Sequence, residues 1–356
     1  MTGLDLSRRF YETLVAGIIA ETLPQLRYAA ARLGDGSEVL GFDTEMSADH
    51  NYGPTVQIFL DEADFVHADT LMAALDRQLP ERFEDWTVRF PSVGRHVRAD
   101  GCLTSDHGVE LMTLEALVQR QFGIGLGPFS NVDWLTFPQQ RLLTLTAGAV
   151  FRDDAGQLAG PRQRLDYFPR DVWLLRLAAQ WDRIGEERAF VGRTGQLGDD
   201  LGARIIGSRL VENLMHIAFL IERRYAPYPK WFGTAFARLD IADQLQPLLT
   251  EALTATQWQQ REAAIALASE QLANLQLKRG IPGAVPPHVA SYFTRPFRVI
   301  NADEIAAGLR GAIDDEMLRR IPSGCIDQLT DMVPILTSPD RARRIIAASV
   351  PDHRGE

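Results

Sequence analysis

The hydrophobic period changes partway along the chain, and that change limits the possible folds more than any other feature. Before about residue 130 the apolar residues come in short runs separated by turn formers. From Trp134 onward they recur at helical spacing over long segments near 137–147, 169–188, 199–225, 241–253 and 256–276. The expected fold is therefore α+β. A sheet-bearing domain occupies 1–130, a helical bundle 131–280, and a helical extension over 281–356 packs on the bundle, with Gly280-Ile-Pro-Gly-Ala-Val-Pro-Pro287 as the linker.

Within the first part, Leu6, Phe10, Leu14 and Ile18 predict an amphipathic helix that ends near Pro24. A strand over 26–33 runs into Gly34-Asp-Gly36-Ser37, and Thr55-Val-Gln-Ile-Phe-Leu60 reads as a buried strand. A helix is expected over 70–79 with Asp69 as its N-cap, and further strands over 86–90 and 108–113. In the second part, Leu210, Leu214, Ile217 and Ile221 form a stripe suited to a bundle core. The last segment offers a strand at Arg295–Ile300 and three short helices.

Composition removes several function classes. The net charge of −10 argues against general binding to nucleic acid. Apolar runs such as 14–20 fall short of the ~18–20 residues of a membrane span. The first residues carry no secretion signal, so the expected location is cytoplasmic. Cys102 and Cys325 stand alone, with no disulfide framework or zinc cluster around them. The only lysines, Lys230 and Lys278, do not follow a glycine, which rules out a Walker-type phosphate loop. Kinase motifs, the Gly-x-Ser-x-Gly elbow and the His-Glu-x-x-His helix are missing as well. Gly123-Ile-Gly125-Leu-Gly127 reads as a loop, because Pro128 stands in place of the last glycine of a dinucleotide fingerprint.

The stretch that carries chemistry runs from Gly36 to Asn51. A Gly36-Ser37 turn leaving a strand puts backbone N–H groups and a hydroxyl at an expected helix start, where phosphate oxygens can bind. Carboxylates shortly afterwards, beside the next strand, can hold Mg²⁺ against the same phosphates. Gly36, Ser37, the further Gly41 and the acid Asp49 together resemble the signature of the nucleotidyltransferase superfamily, which includes DNA polymerase β and the aminoglycoside and lincosamide nucleotidyltransferases. Ser47-Ala-Asp49-His50-Asn51-Tyr-Gly-Pro54, Phe190-Val-Gly-Arg193 and Arg224-Tyr-Ala-Pro-Tyr-Pro-Lys-Trp231 also resemble a bacterial family of unknown function that joins such a half to a helical one.

The superfamily resemblance implies a mixed sheet and transfer of a nucleoside monophosphate from an NTP such as ATP to a hydroxyl acceptor, with Mg²⁺ or Mn²⁺. In the resembling antibiotic-modifying enzymes the acceptor is a small molecule. Asp49 and Glu110 would be the catalytic carboxylates and metal ligands, joined at the metal by Asn51 and Asp43, while Gly36, Ser37 and Lys230 would bind the nucleotide. Asn51 stands where the superfamily has a second carboxylate, and as a neutral amide it is a weaker ligand for a hard cation. That favours the alternative, a degenerate fold that binds a nucleotide or a protein partner without transfer.

Several residues keep two readings. Glu110 is either a third metal carboxylate or a strand-edge acid facing water. Asp43 and Glu45 either replace the missing ligand or are solvated, and His50 either contacts phosphate or packs in a turn. Lys230, in an aromatic and proline-stiffened turn, either lines a pocket or covers the bundle. Asp199, Asp200 and Arg204 read as a helix cap and an i,i+4 ion pair.

Overall fold

The computed structural model describes residues 2–44, 46, 53–89, 96–97 and 101–350. Its contacts divide the chain into two units, Met1–Pro128 with Gln140–Asp166, and Phe129–Gln139 with Tyr167–Glu356. The protein is mixed α/β, with a mixed sheet in the first unit and a largely helical C-terminal region. Among the described residues no helix is long and apolar enough to cross a membrane.

The strands of the first unit are β1 (Ala29–Arg32), β2 (Val56–Phe59), β3 (Arg82–Phe83), β4 (Trp86–Thr87), β5 (His96–Val97), β6 (Leu103–Thr104), β7 (Val109–Met112) and β8 (Ala149–Asp153). Six of them form one sheet in the order β5-β6-β7-β2-β1-β8, and β3 and β4 make a separate hairpin. Only β2 and β7 run parallel, and the remaining neighbours are antiparallel. Alternation sorts the side chains: Val56, Ile58 and Leu60 enter a buried cluster with Ala30, Val109 and Leu111, while Gln57 and Phe59 point to the other face. Two helical segments contribute to that cluster, 3–22 and Ala68–Gln78.

The expected first helix is present but contains a wide turn at Tyr11–Val15. The extra residue shifts the apolar stripe, so Tyr11 and Val15 are buried while Leu14 is only partly so. Helix Ala68–Gln78 begins earlier than Asp69 predicts; His67 occupies the cap position and Asp69 lies in the first turn, where an acid suits the helix dipole. The largest departure is β8. A stretch that reads as part of the helical half returns to the first unit, because Ala149–Asp153 pairs antiparallel with β1.

In the second unit, helix Arg170–Glu187 packs against Asp200–Ile221 and Ala302–Gly311, and Trp258–Lys278 packs against Ala242–Thr254 and Asp200–Ile221. The stripe of Leu210, Leu214, Ile217 and Ile221 is buried, as its spacing requires. Trp181 is fully buried, and its indole N–H donates to the Gln276 Oε1 at 2.9 Å. Asp199 caps its helix by accepting from the Gly202 N–H, and Asp200 pairs with Arg204 at 2.6 Å. Strands β9 (Val289–Tyr292) and β10 (Arg295–Ile300) form a hairpin against Trp258–Lys278. Five short helices follow it where the sequence suggests three, since Pro334 and Pro339 each open a separate one.

Glu262 lies on the inner face of Trp258–Lys278 and is 6% exposed. One oxygen accepts the Arg298 N–H at 3.0 Å, the other is buried without a partner, and burial pushes the carboxyl up to about 7. The native state therefore holds a proton here that the unfolded chain releases near pH 4.5. This contribution is full below the unfolded value and falls as pH rises to about 7, by about 1.4 kcal/mol for each pH unit. Urea unfolding midpoints measured across that window should fall with rising pH, and Glu262→Gln should flatten the slope; an unchanged slope in the variant would place the titration elsewhere.

Candidate functional site

Strand pairing puts three features at one end of the sheet. Ala31 faces Gln57 across the antiparallel pair, and Gln57 faces Glu110 across the parallel one. The end at which β1 leaves the sheet is thus the end at which β2 and β7 enter it. The Gly36-Ser37 turn follows β1, residues 53–55 lead into β2, and Glu110 is the second residue of β7.

Gln57, 8% exposed, holds this end together. Its Oε1 accepts the Leu33 N–H at 2.9 Å and its Nε2 donates to the Leu33 carbonyl at 3.2 Å. The amide extends the ladder one step beyond the point where β1 and β2 part. The same Nε2 lies 3.5 Å from the Glu110 Oε2, so one side chain links the base of the Gly36-Ser37 turn to the carboxylate. A polar residue inside an apolar strand run was the sequence signal for it, since a buried amide requires partners.

The turn itself is compact. The Phe42 N–H donates to the Ser37 carbonyl at 2.9 Å and the Gly41 N–H to the Glu38 carbonyl at 3.0 Å. Residues 37–41 form turns and no helix, which corrects the expected helix start; Gly41, at φ +69°, takes the chain into the left-handed region. Arg32 clasps the turn from below, donating to the Leu33 carbonyl at 2.7 Å and pairing with Glu38 at 2.5 Å. Both partners of that pair are 11% exposed, so breaking it would strand a charge away from water. A Cβ at Gly36 would lie 2.5 Å from the Glu38 carboxylate and would displace that side chain from its place beside Arg32. Arg141 brings a second guanidinium, 3.9 Å from Asp35. Neither arginine is marked by the sequence motif.

Ser37 is buried at 9% exposure and Glu110 is partly buried. Asp43 accepts the Gly3 N–H at 2.6 Å and so serves the start of the first helix. Asp49, Asn51, Glu45 and His50 lie outside the described residues. The segment bearing them returns at Gly53-Pro54, where a Cβ on Gly108 would run into the Pro54 carbonyl oxygen. Gly108 therefore allows the returning chain to lie against the start of β7, next to Glu110, and the Val56 N–H donates to the Gly108 carbonyl at 2.9 Å.

The donor set suits a hard cation only in part. Carboxylate, hydroxyl and carbonyl oxygens are the ligands that Mg²⁺ prefers. Among the described residues, however, no group of three His, Cys, Asp or Glu comes together. A metal beside Glu110 would thus need a ligand from outside the described residues.

Lys230 belongs to the second unit. It is exposed, at the second residue of helix Pro229–Phe236, and its ammonium lies 5.0 Å over the Trp231 ring. Pro229 opens that helix, as its fixed φ favours.

A family model described as a domain of unknown function, DUF4037, matches residues 134–232. No curated protein matches the chain. The crystal structure of a nucleotidyltransferase-like protein from Exiguobacterium sibiricum 255-15 covers 76% of this chain and 76% of its own, at 12% identity and a TM-score of 0.35. That likeness is too shallow to bear on fold or function.

Gln57→Leu keeps the bulk of the side chain and removes both bonds to Leu33. Each buried group left unpaired costs roughly 1–3 kcal/mol. Urea unfolding should show a loss of that size; a stability within ~0.5 kcal/mol of the parent would mean that Gln57 is not the strut of this end of the sheet.

Proposed function

We propose that the first unit binds a nucleoside triphosphate with Mg²⁺ or Mn²⁺ and transfers its nucleoside monophosphate to a hydroxyl of a small acceptor. The supporting observation is the row Ala31, Gln57 and Glu110, which brings the Gly36-Ser37 turn, the lead into β2 at 53–55 and a carboxylate to one end of the sheet. In this reading, the Gly36-Ser37 turn takes the phosphates, while Asp49 and Glu110 hold the cation, with Asn51 as a neutral oxygen ligand beside them. Asp43 and Lys230 are secondary in this reading, since each already contacts a neighbour.

The cation supplies charge neutralisation on the phosphates when bound. The protein supplies position: the turn fixes the triphosphate, and the carboxylates fix the α-phosphorus relative to the incoming hydroxyl. A bond forms between the acceptor oxygen and the α-phosphorus as the bond to the bridging oxygen breaks. Pyrophosphate leaves, and the hydroxyl proton passes to water or a carboxylate.

Asn51 favours a second reading, a protein that keeps nucleotide binding but performs no transfer. Calorimetry with each NTP, with and without Mg²⁺, tests what the two readings share. Binding should depend on metal, and Asp49→Ala and Glu110→Gln should each weaken it by about tenfold or more, the scale of one lost charged ligand. Equal affinity with and without metal would remove Asp49 and Glu110 as ligands. Pyrophosphate release in the presence of cell extract would then separate transferase from binder; a binder should gain affinity for Mn²⁺ on Asn51→Asp.

A further inference from the structure

The second unit contains a cavity of about 240 Å³ that none of the chemistry above uses. At ~30 Å³ per water, it has room for about eight waters, and it is smaller than the ~300–1,000 Å³ typical of drug-sized ligands. Its size suits a molecule of one ring. It is lined by the helices Arg170–Glu187 and Asp200–Ile221, by Gln139, and by residues 327–331.

The lining departs from the usual apolar pocket. Leu220 and Leu329 are its only aliphatic members, and every other lining residue is polar. The floor is a braced network. Arg176, 1% exposed, donates to both oxygens of Asp327 at 2.7 and 2.8 Å, and its Nε and Nη1 are buried without an acceptor. Burial opposes the charge on Arg176, but Asp327 beside it raises its pKa and holds it cationic. Gln328 donates to Gln180 at 3.0 Å, and Gln180 donates to the Asn213 carbonyl at 2.7 Å. That leaves the Asn213 NH₂ as the donor for the cavity. The His216 ring is packed on Phe232, with centroids 4.6 Å apart, and burial lowers its pKa to about 4, so it lines the cavity as a neutral imidazole.

The charges favour one class of ligand. Three carboxylates, Glu212, Asp327 and Asp331, face two guanidiniums, Arg176 and Arg183, so the lining is slightly negative and does not suit phosphate or carboxylate. Donors from Asn213, Arg183 and His216 stand among acceptors from Glu212, Asp331 and Thr330. A hydroxyl both donates and accepts, so a ring bearing several hydroxyls can satisfy both sets. We propose that this cavity binds a compact, uncharged, hydroxyl-rich molecule the size of a single sugar or cyclitol ring. The site does not depend on the nucleotide reading of the first unit, because every lining residue belongs to the second.

Saturation-transfer NMR on the full chain, without nucleotide or metal, tests the site directly. The probes are glucose, galactose and myo-inositol, with glucose 6-phosphate as the charged control. At least one neutral ring should receive transfer, and titration should show it binding about tenfold more tightly than the phosphate. Asn213→Leu removes the buried donor, and Glu212→Gln alters an exposed acceptor that the fold does not need. Each should weaken the neutral ring by about fivefold to tenfold, and circular dichroism checks that the variants fold. If Asn213→Leu fails to fold, Glu212→Gln decides alone. No transfer to any neutral ring, preference for the phosphate, or unchanged affinity in the folded variants would overturn the proposal.

Discussion

The geometry of the first unit depends on a single parallel pair inside an otherwise antiparallel sheet. Because β2 and β7 run the same way, both enter the sheet where β1 leaves it, and three distant parts of the chain meet at one end. An antiparallel β7 would carry Glu110 to the opposite end. The Gln57 amide makes the arrangement firm, since it satisfies the Leu33 backbone where the ladder has run out and also reaches Glu110. A core residue at 57 would pack as well but would leave those groups unpaired.

Much of this was legible in the sequence, for physical reasons. Short β-branched runs bounded by turns marked β2 and β7, and a long 3.6-residue period marked the bundle helices. The Asp199 cap and the Asp200 pair with Arg204 were legible because they are local, within one helical turn. What was not legible depends on partners far away in sequence. In β8, Ala149–Asp153 is only partly buried and follows a helix directly, and its assignment comes from pairing with β1. Arg32 and Arg141 join the turn through backbone carbonyls and acids that no spacing rule reports. The wide turn at Tyr11–Val15 likewise leaves no mark on the residues that form it.

The two candidate sites differ in how they are built. Around Gly36-Ser37 the chain folds tightly on itself, and strand pairing then brings Gln57 and Glu110 to the same end of the sheet. The cavity of the second unit is assembled from residues between 139 and 331, and its floor is held by the buried ion pair of Arg176 with Asp327, which Gln139 also bonds. A network of that kind leaves little freedom for its side chains to rearrange.

The return of β8 to the first unit also governs how the protein can be divided. A fragment ending near 130, where the helical period begins, would lose Ala149–Asp153 and leave the outer edge of β1 open. Three of the four residues on that edge are alanines, and the charge of the fourth, Arg32, is taken up by Glu38, so the fragment would present a template for strand addition. It would also lose the Thr144 carbonyl that accepts the Gly34 N–H at 2.8 Å, just before the Gly36-Ser37 turn. The sheet unit is thus discontinuous in sequence, and a faithful copy of it carries residues 140–166 as well.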